Sequence, residues 1–187
     1  MERFINNKFL SSVLRPQPAK LCALVSIAEI IKIVKEQDVT FDEISTITGI
    51  TKKLAIAGRV GNDKMIKMAQ AYDIPLTSYE TVQVLPDWES IKSMLKSEHR
   101  PIIYHSKGHY CLLVGFIEEP LLLNSGDHIK VDRSKTQKWL VIADHRVKYK
   151  TDHKSGMLEM VTWYTVRQTI KNNRNCALLV VVDKSET

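Results

Sequence analysis

Three residues of the chain have the types and the order that nucleophilic chemistry by a thiol requires. Cys22 stands at the predicted start of an apolar helix, where free backbone N–H groups and the helix dipole lower the pKa of a thiol. His109 opens a predicted strand, and an imidazole of near-neutral pKa can take the thiol proton and return it. Asp144 ends another apolar strand, from which its carboxylate can fix the imidazole tautomer. The order predicts a nucleophile, a base and a residue that orients the base.

Two further polar residues enter this prediction. Gln17 lies five residues before the cysteine, and its amide could donate to a developing oxyanion together with the backbone N–H of Cys22. Asp127 lies nearer to His109 in sequence than Asp144 does, so it is the alternative orienting carboxylate. It follows the turn signal Asn-Ser-Gly, which would place it at the end of a hairpin opposite to His109. Strand pairing therefore favours Asp144.

The first half of the chain has the periodicity of helices. Apolar residues from Cys22 to Lys35 cover most of the circumference of a helix, which is the pattern of a helix buried on nearly all sides. The segment that begins at Thr40 is a capping box, and Gly49 ends the helix that follows it. Further helices are predicted from Thr51, after Gly61 and after Asp87.

Continuous apolar runs in the second half predict strands. They cover residues 102–104, 110–116, 139–143 and 177–182, with a short helix over 162–172 before the last run. Helices followed by antiparallel strands predict an α+β fold. We expect a single domain over residues 1–187, with a helical part over about 1–98 and a sheet part over about 99–187.

Composition and charge narrow the class of protein. There is no apolar run of about 18 residues and no signal-peptide core, so we expect a cytoplasmic protein without a membrane span. The three widely spaced cysteines predict free thiols, and the histidines form no ligand pattern, so no metal or cofactor is expected. Most of the net charge of +6 lies between Lys130 and Lys154. This stretch is either a solvated loop or a dock for an acidic partner, and the lack of an aromatic-rich module argues against nucleic acid.

The segments around these residues resemble the papain-like (clan CA) cysteine peptidases. The resemblance is carried by Gln-Pro-Ala-Lys-Leu-Cys at 17–22, by Gly-His-Tyr at 108–110 with the Leu-Leu-Val-Gly-Phe strand, and by Val-Ile-Ala-Asp at 141–144. Within that superfamily the chain is similar to phytochelatin synthases and to the peptidase domains that trim double-glycine bacteriocin leaders. Two positions depart from those relatives, since Ala23 stands where they usually have glycine and Gln17 lies one residue closer to the cysteine.

The resemblance implies a papain-like fold, with an N-terminal helical lobe that carries Cys22 and a C-terminal sheet lobe that carries His109 and Asp144. It implies Cys22 as nucleophile, His109 as base, Asp144 as orienter and Gln17 as oxyanion donor. Hydrolysis of a peptide or isopeptide-like amide through a thioester is the first expectation. Deamidation of a glutamine on another protein, or transfer to an amine, is the enzymatic alternative, as in effector toxins of this fold. The alternative that is not an enzyme is a binding module on a papain-like scaffold, without turnover.

If Cys22 is the nucleophile, iodoacetamide at neutral pH should label it well before Cys111 and Cys176 in the folded protein. The other two cysteines lie in apolar strand contexts, which raise the pKa of a thiol. Peptide mass spectrometry on samples quenched at intervals gives the three rates. Equal rates, or faster labelling of Cys111, would contradict the assignment.

Overall fold

The computed structural model describes residues 1–13, 20–125, 128–144 and 158–182, and in it seven strands form one antiparallel sheet. The strands are β1 (Glu2–Ile5), β2 (Leu76–Tyr79), β3 (Ile102–Ser106), β4 (His109–Ser125), β5 (His128–Ala143), β6 (Leu158–Thr162) and β7 (Ala177–Val181). Their order across the sheet is β2-β7-β3-β4-β5-β6, and β1 pairs with β4 beyond the part of β4 that β3 covers. The predicted α+β class is confirmed.

All of the described helices except the first, at residues 7–13, begin at or next to a predicted start, and four of these starts carry a side-chain cap. They are α1 (Asn7–Val13), α2 (Cys22–Lys35), α3 (Phe41–Thr48), α4 (Lys52–Ile56), α5 (Asn62–Gln70), α6 (Trp88–Lys96) and α7 (Trp163–Asn172). The Thr40 capping box is present, with the hydroxyl accepting from the backbone N–H of Glu43 and the Glu43 carboxylate accepting from that of Thr40. Thr51 and Asp87 accept from backbone N–H groups in the same way at the starts of α4 and α6.

Two apolar cores lie on opposite faces of the sheet. The larger core joins α1 to α5 with one face of the sheet, and α2 lies at its centre with Ile27, Ile30 and Ile31 fully buried. The smaller core packs α6 and α7 on the other face. Successive residues of β4 alternate between the two cores, because successive side chains of a strand point to opposite faces. Full burial of each isoleucine contributes about 1.5–3 kcal/mol, so α2 is held firmly on the sheet.

β4 and β5 are longer than the apolar runs predicted. They continue as a two-stranded ribbon to the pair Ser125 and His128, with register shifts after Leu113 and Pro120. Polar and charged residues predominate in the ribbon, above all over residues 128–138 of β5, so the apolar signal of a strand is weak there. The basic stretch from Lys130 therefore begins as part of β5 rather than as a loop, and its remainder over 145–157 lies outside the described residues.

The N-terminal strand β1, which the sequence did not predict, is held by polar contacts to two elements. Lys92 of α6 lies 2.9 Å from a Glu2 carboxylate oxygen and 3.0 Å from one of Glu118 on β4. Gly115 permits the close approach of β1, since a Cβ there would clash with the carbonyl oxygen of Phe4. No helix in the described part of the chain is long and apolar enough to cross a membrane.

Candidate active site

A tight hairpin turn places His109 at one end of the sheet. The turn between β3 and β4 consists of Lys107 and Gly108, with φ angles of 49° and 77°, and the pair Ser106 and His109 closes it. Two successive positive φ angles are typical of a type I′ turn, which matches the twist of antiparallel strands and is easiest with glycine at the second position. The imidazole is thus the first side chain of β4.

The pairing of β5 with β4 brings Asp144 to the same end of the sheet. Leu112 pairs with Ala143, so the residue after Ala143 lies next to the start of β4. The Nε2 atom of His109 lies 2.9 Å from Oδ1 of Asp144, whose side chain is almost fully buried. The predicted antiparallel pairing of these strands is confirmed. Asp127 lies outside the described residues.

Cys22 reaches this pair from the helical side. It is the first residue of α2, and the N-cap Leu21 supplies no side-chain hydrogen bond, so the backbone donors of the first turn are not capped by it. The half-buried thiol hydrogen-bonds with His109 and with the backbone of Tyr110 and Ala23. Because Nε2 of His109 bonds to Asp144, Nδ1 is the ring nitrogen left for the sulfur.

The electrostatics of the pair favour a proton on the imidazole. Burial raises the pKa of Cys22, but the hydrogen bond from His109, the backbone of Tyr110 and the charge of the imidazole together leave it below its ordinary value. Burial lowers the pKa of His109, whereas the hydrogen bonds to Asp144 and Cys22 outweigh burial and raise this pKa to about 9. The two shifts agree in direction, since each makes the pair of a thiolate and an imidazolium more favourable than it would be for the separate groups.

The sulfur opens onto a cleft of about 540 Å³ between the helices and the end of the sheet. Cys22 and Ala23 line one side of it, and the N-terminus of α5, from Gly61 to Lys64, lines another. His105 and Tyr110 from the paired strands β3 and β4 also line this space. The volume lies within the range of small-molecule and peptide sites, about 300–1,000 Å³.

A second histidine in the cleft belongs to a separate network. His105 is 5% exposed, stacks on Tyr110 at 4.0 Å between ring centroids, and its Nδ1 lies 2.8 Å from Oδ1 of Asn62. Asn62 donates through Nδ2 to Glu80, so its Oδ1 accepts and His105 Nδ1 carries a proton. Burial lowers the pKa of His105 to about 4, which keeps the ring neutral at pH 7. No local pattern predicts this network, since its members lie far apart in the chain.

The Tyr110 hydroxyl fixes the helical wall of the cleft to the sheet. It lies 3.1 Å from the carbonyl oxygen of Val60 and 3.2 Å from Oδ1 of Asn62, and these two acceptors share its single proton. These bonds tie the start of α5 to the strand that carries His109. The width of the cleft at Cys22 is therefore set by a buried residue next to His109 in the chain.

The structure brings together three of the four predicted site residues, Cys22, His109 and Asp144. The fourth, Gln17, lies outside the described residues. Within those residues no group of three or more His, Cys, Asp or Glu side chains could hold a metal ion. No protein-family model matches the chain, and a search of curated proteins also gave no match.

Replacement of Cys22 by alanine should lower the pKa of His109 from about 9, because the imidazolium loses its hydrogen bond and its anionic partner. The raised pKa means that the stability contributed by the charged ring is complete below the unfolded pKa of about 6.5. That stability is lost as pH rises through about 9. NMR titration of the imidazole protons measures the shift. A His109 pKa that does not change in Cys22→Ala would contradict the coupling.

Proposed function

We propose that the protein is a papain-like cysteine enzyme that transfers an acyl group from an amide to water, in the simplest case a peptidase. The observation that carries the proposal is that His109, bonded to Asp144 at 2.9 Å, also interacts with the thiol of Cys22, which lines a cleft. Raised His109 pKa and lowered Cys22 pKa are the directions that a thiolate nucleophile and a general acid need at neutral pH. The mixed fold with an antiparallel sheet is compatible with the papain-like fold.

The reaction follows from the positions of these groups. The Cys22 thiolate attacks the carbonyl carbon of the amide and forms a tetrahedral intermediate. The backbone N–H groups at the start of α2 are donors for its oxyanion, and Gln17 is the proposed side-chain donor. The His109 imidazolium then protonates the leaving nitrogen, the C–N bond breaks, and a thioester on Cys22 remains.

Water completes the cycle. Neutral His109 takes a proton from the water that attacks the thioester, and a second tetrahedral intermediate forms. Its C–S bond then breaks, which restores the Cys22 thiolate and releases the acid product. Asp144 stays ionised and buried throughout, and its bond to Nε2 keeps Nδ1 directed at the sulfur. A peptide or protein is the proposed substrate. The cytoplasm is the proposed location, because the three cysteines are free and a reducing compartment keeps them so.

Incubation with cell lysate, followed by acid quenching, should leave an acyl adduct on the peptide that contains Cys22. The adduct should be released by neutral hydroxylamine, because the proposed bond is a thioester. Cys22→Ala should show no adduct and little loss of stability, since the change removes one sulfur at a helix end. The released group separates two reactions, since a new N-terminus marks peptide hydrolysis and ammonia marks deamidation. A reactive Cys22 that never carries an adduct would support a binding module instead.

Asp144→Asn should lower turnover of the substrate identified from the Cys22 adduct by about 100-fold or more, with the thermal unfolding midpoint nearly unchanged. An amide can hold the imidazole in the wrong tautomer, and it cannot stabilise the imidazolium. Asp127→Asn is the matched control and should remain close to wild type in turnover. The opposite pattern, a silent Asp144→Asn and a damaging Asp127→Asn, would move the orienting role to Asp127.

A further inference from the structure

The cleft beside Cys22 collects basic side chains from separate parts of the chain. They are Lys20 just before α2, Arg59 before α5, Lys64 in the first turn of α5, and Arg174 between α7 and β7. Lys20, Arg59 and Arg174 are exposed, and Lys64 is half-buried. Among the described residues none of the four forms an ion pair with a carboxylate. Lys64 donates instead to the carbonyl oxygen of Arg59 at 3.0 Å.

The negative side chains of the cleft are fewer. Asp63 and Glu80 are the two carboxylates that line it. Glu80 already accepts from Asn62 at 3.0 Å and from the Ser78 hydroxyl at 2.9 Å, so one of its oxygens is directed into the protein. His105 adds no charge because it is neutral. The cleft therefore presents four cations against two anions.

The basic side chains also lie where they oppose the helix dipoles. α2 and α5 both begin at the cleft, and the N-terminus of a helix carries a partial positive charge. Lysine in the first turn of α5, with further cations next to both helix starts, is unfavourable in the empty protein. A bound anion would turn each of these repulsions into an attraction.

We propose that the cleft selects acidic peptide substrates, with a carboxylate side chain near the amide that Cys22 attacks. This inference rests on the proposed function, because it names the substrate class of the same site. Arg59 belongs to the helical part of the chain and Arg174 to the sheet part, and both line the same cleft. They are the residues on which the selection depends most directly, because neither side chain donates a hydrogen bond to another described residue.

Iodoacetate and iodoacetamide test the charge of the cleft without a known substrate. They share the reacting carbon and the leaving group, and they differ in a carboxylate against a carboxamide. The rate for iodoacetate is divided by the rate for iodoacetamide, once for Cys22 and once for N-acetylcysteine. The ratio for Cys22 divided by the ratio for N-acetylcysteine reports how strongly the site favours an anion. The ratio should exceed one and should fall by about threefold in Arg59→Gln/Arg174→Gln. It should also fall when the salt concentration rises, because salt screens exposed charges.

The matched control is Lys67→Gln/Arg167→Gln, which removes the same charge from exposed positions of α5 and α7 that do not line the cleft. It should leave the ratio unchanged. An equal fall in both double variants, or no fall in the cleft variant, overturns the inference. Because imidazolium at His109 also favours iodoacetate, only the difference between the variants counts.

Protection by peptides tests the substrate class itself. Acetyl-(Glu)₃-amide should slow iodoacetamide labelling of Cys22 at a concentration about threefold or more below that needed with acetyl-(Gln)₃-amide. The preference should disappear in Arg59→Gln/Arg174→Gln. Equal protection by both peptides, or better protection by the glutamine peptide, overturns the inference. In either of these failures Cys22 is still the cysteine that reacts first. If neither iodoacetate nor iodoacetamide labels Cys22 before Cys111 and Cys176, the proposed function itself is overturned.

Discussion

Packing of α2 against the sheet is the constraint on which the site depends. Ile27, Ile30 and Ile31 are fully buried between α2 and its neighbours, and together their burial is worth about 5–9 kcal/mol. A hydrogen bond between charged partners contributes about 1.5–3 kcal/mol. Packing therefore outweighs the bond between Cys22 and His109 and fixes the distance between them. The thiol meets the imidazole because the helix cannot slide without exposing its core.

His105 and His109 show how the partners of a ring decide its charge. Burial lowers the pKa of both. His109 has a carboxylate on one nitrogen and a thiol on the other, and their attraction for the charged ring exceeds the cost of burial. His105 has a neutral amide on one nitrogen and lies against an aromatic ring, so nothing offsets that cost fully. The His109 ring is therefore protonated at neutral pH, whereas the His105 ring stays neutral and lines the cleft.

The cleft carries its charge at the expense of stability. Cations near the N-termini of α2 and α5 oppose the helix dipoles by a few tenths of a kcal/mol to about 1 kcal/mol each, and Asp63 in the first turn of α5 offsets part of this cost. A domain with two apolar cores tolerates this cost, because burial of the cores supplies far more. Such local conflict with the rules of helix stability is expected at functional sites rather than elsewhere. The buried hydrogen bonds of Tyr110 hold the wall of the cleft against that repulsion.

Local patterns in the sequence determined the helix starts, the central strands and the order of Cys22, His109 and Asp144 along the chain. Capping boxes, turn glycines and apolar periodicity act over a few residues, so they can be read from the sequence. The strands β1, β2 and β6 were missed, because they are short or half-polar and exist through pairing with residues distant in the chain. The ribbon beyond Pro120 was missed because its β5 strand is mostly polar and charged. Gln17 remains a prediction. Only the tertiary structure decided that Asn62 meets His105 and that Arg59 and Arg174 face one cleft, since contacts over such sequence separations leave no local pattern.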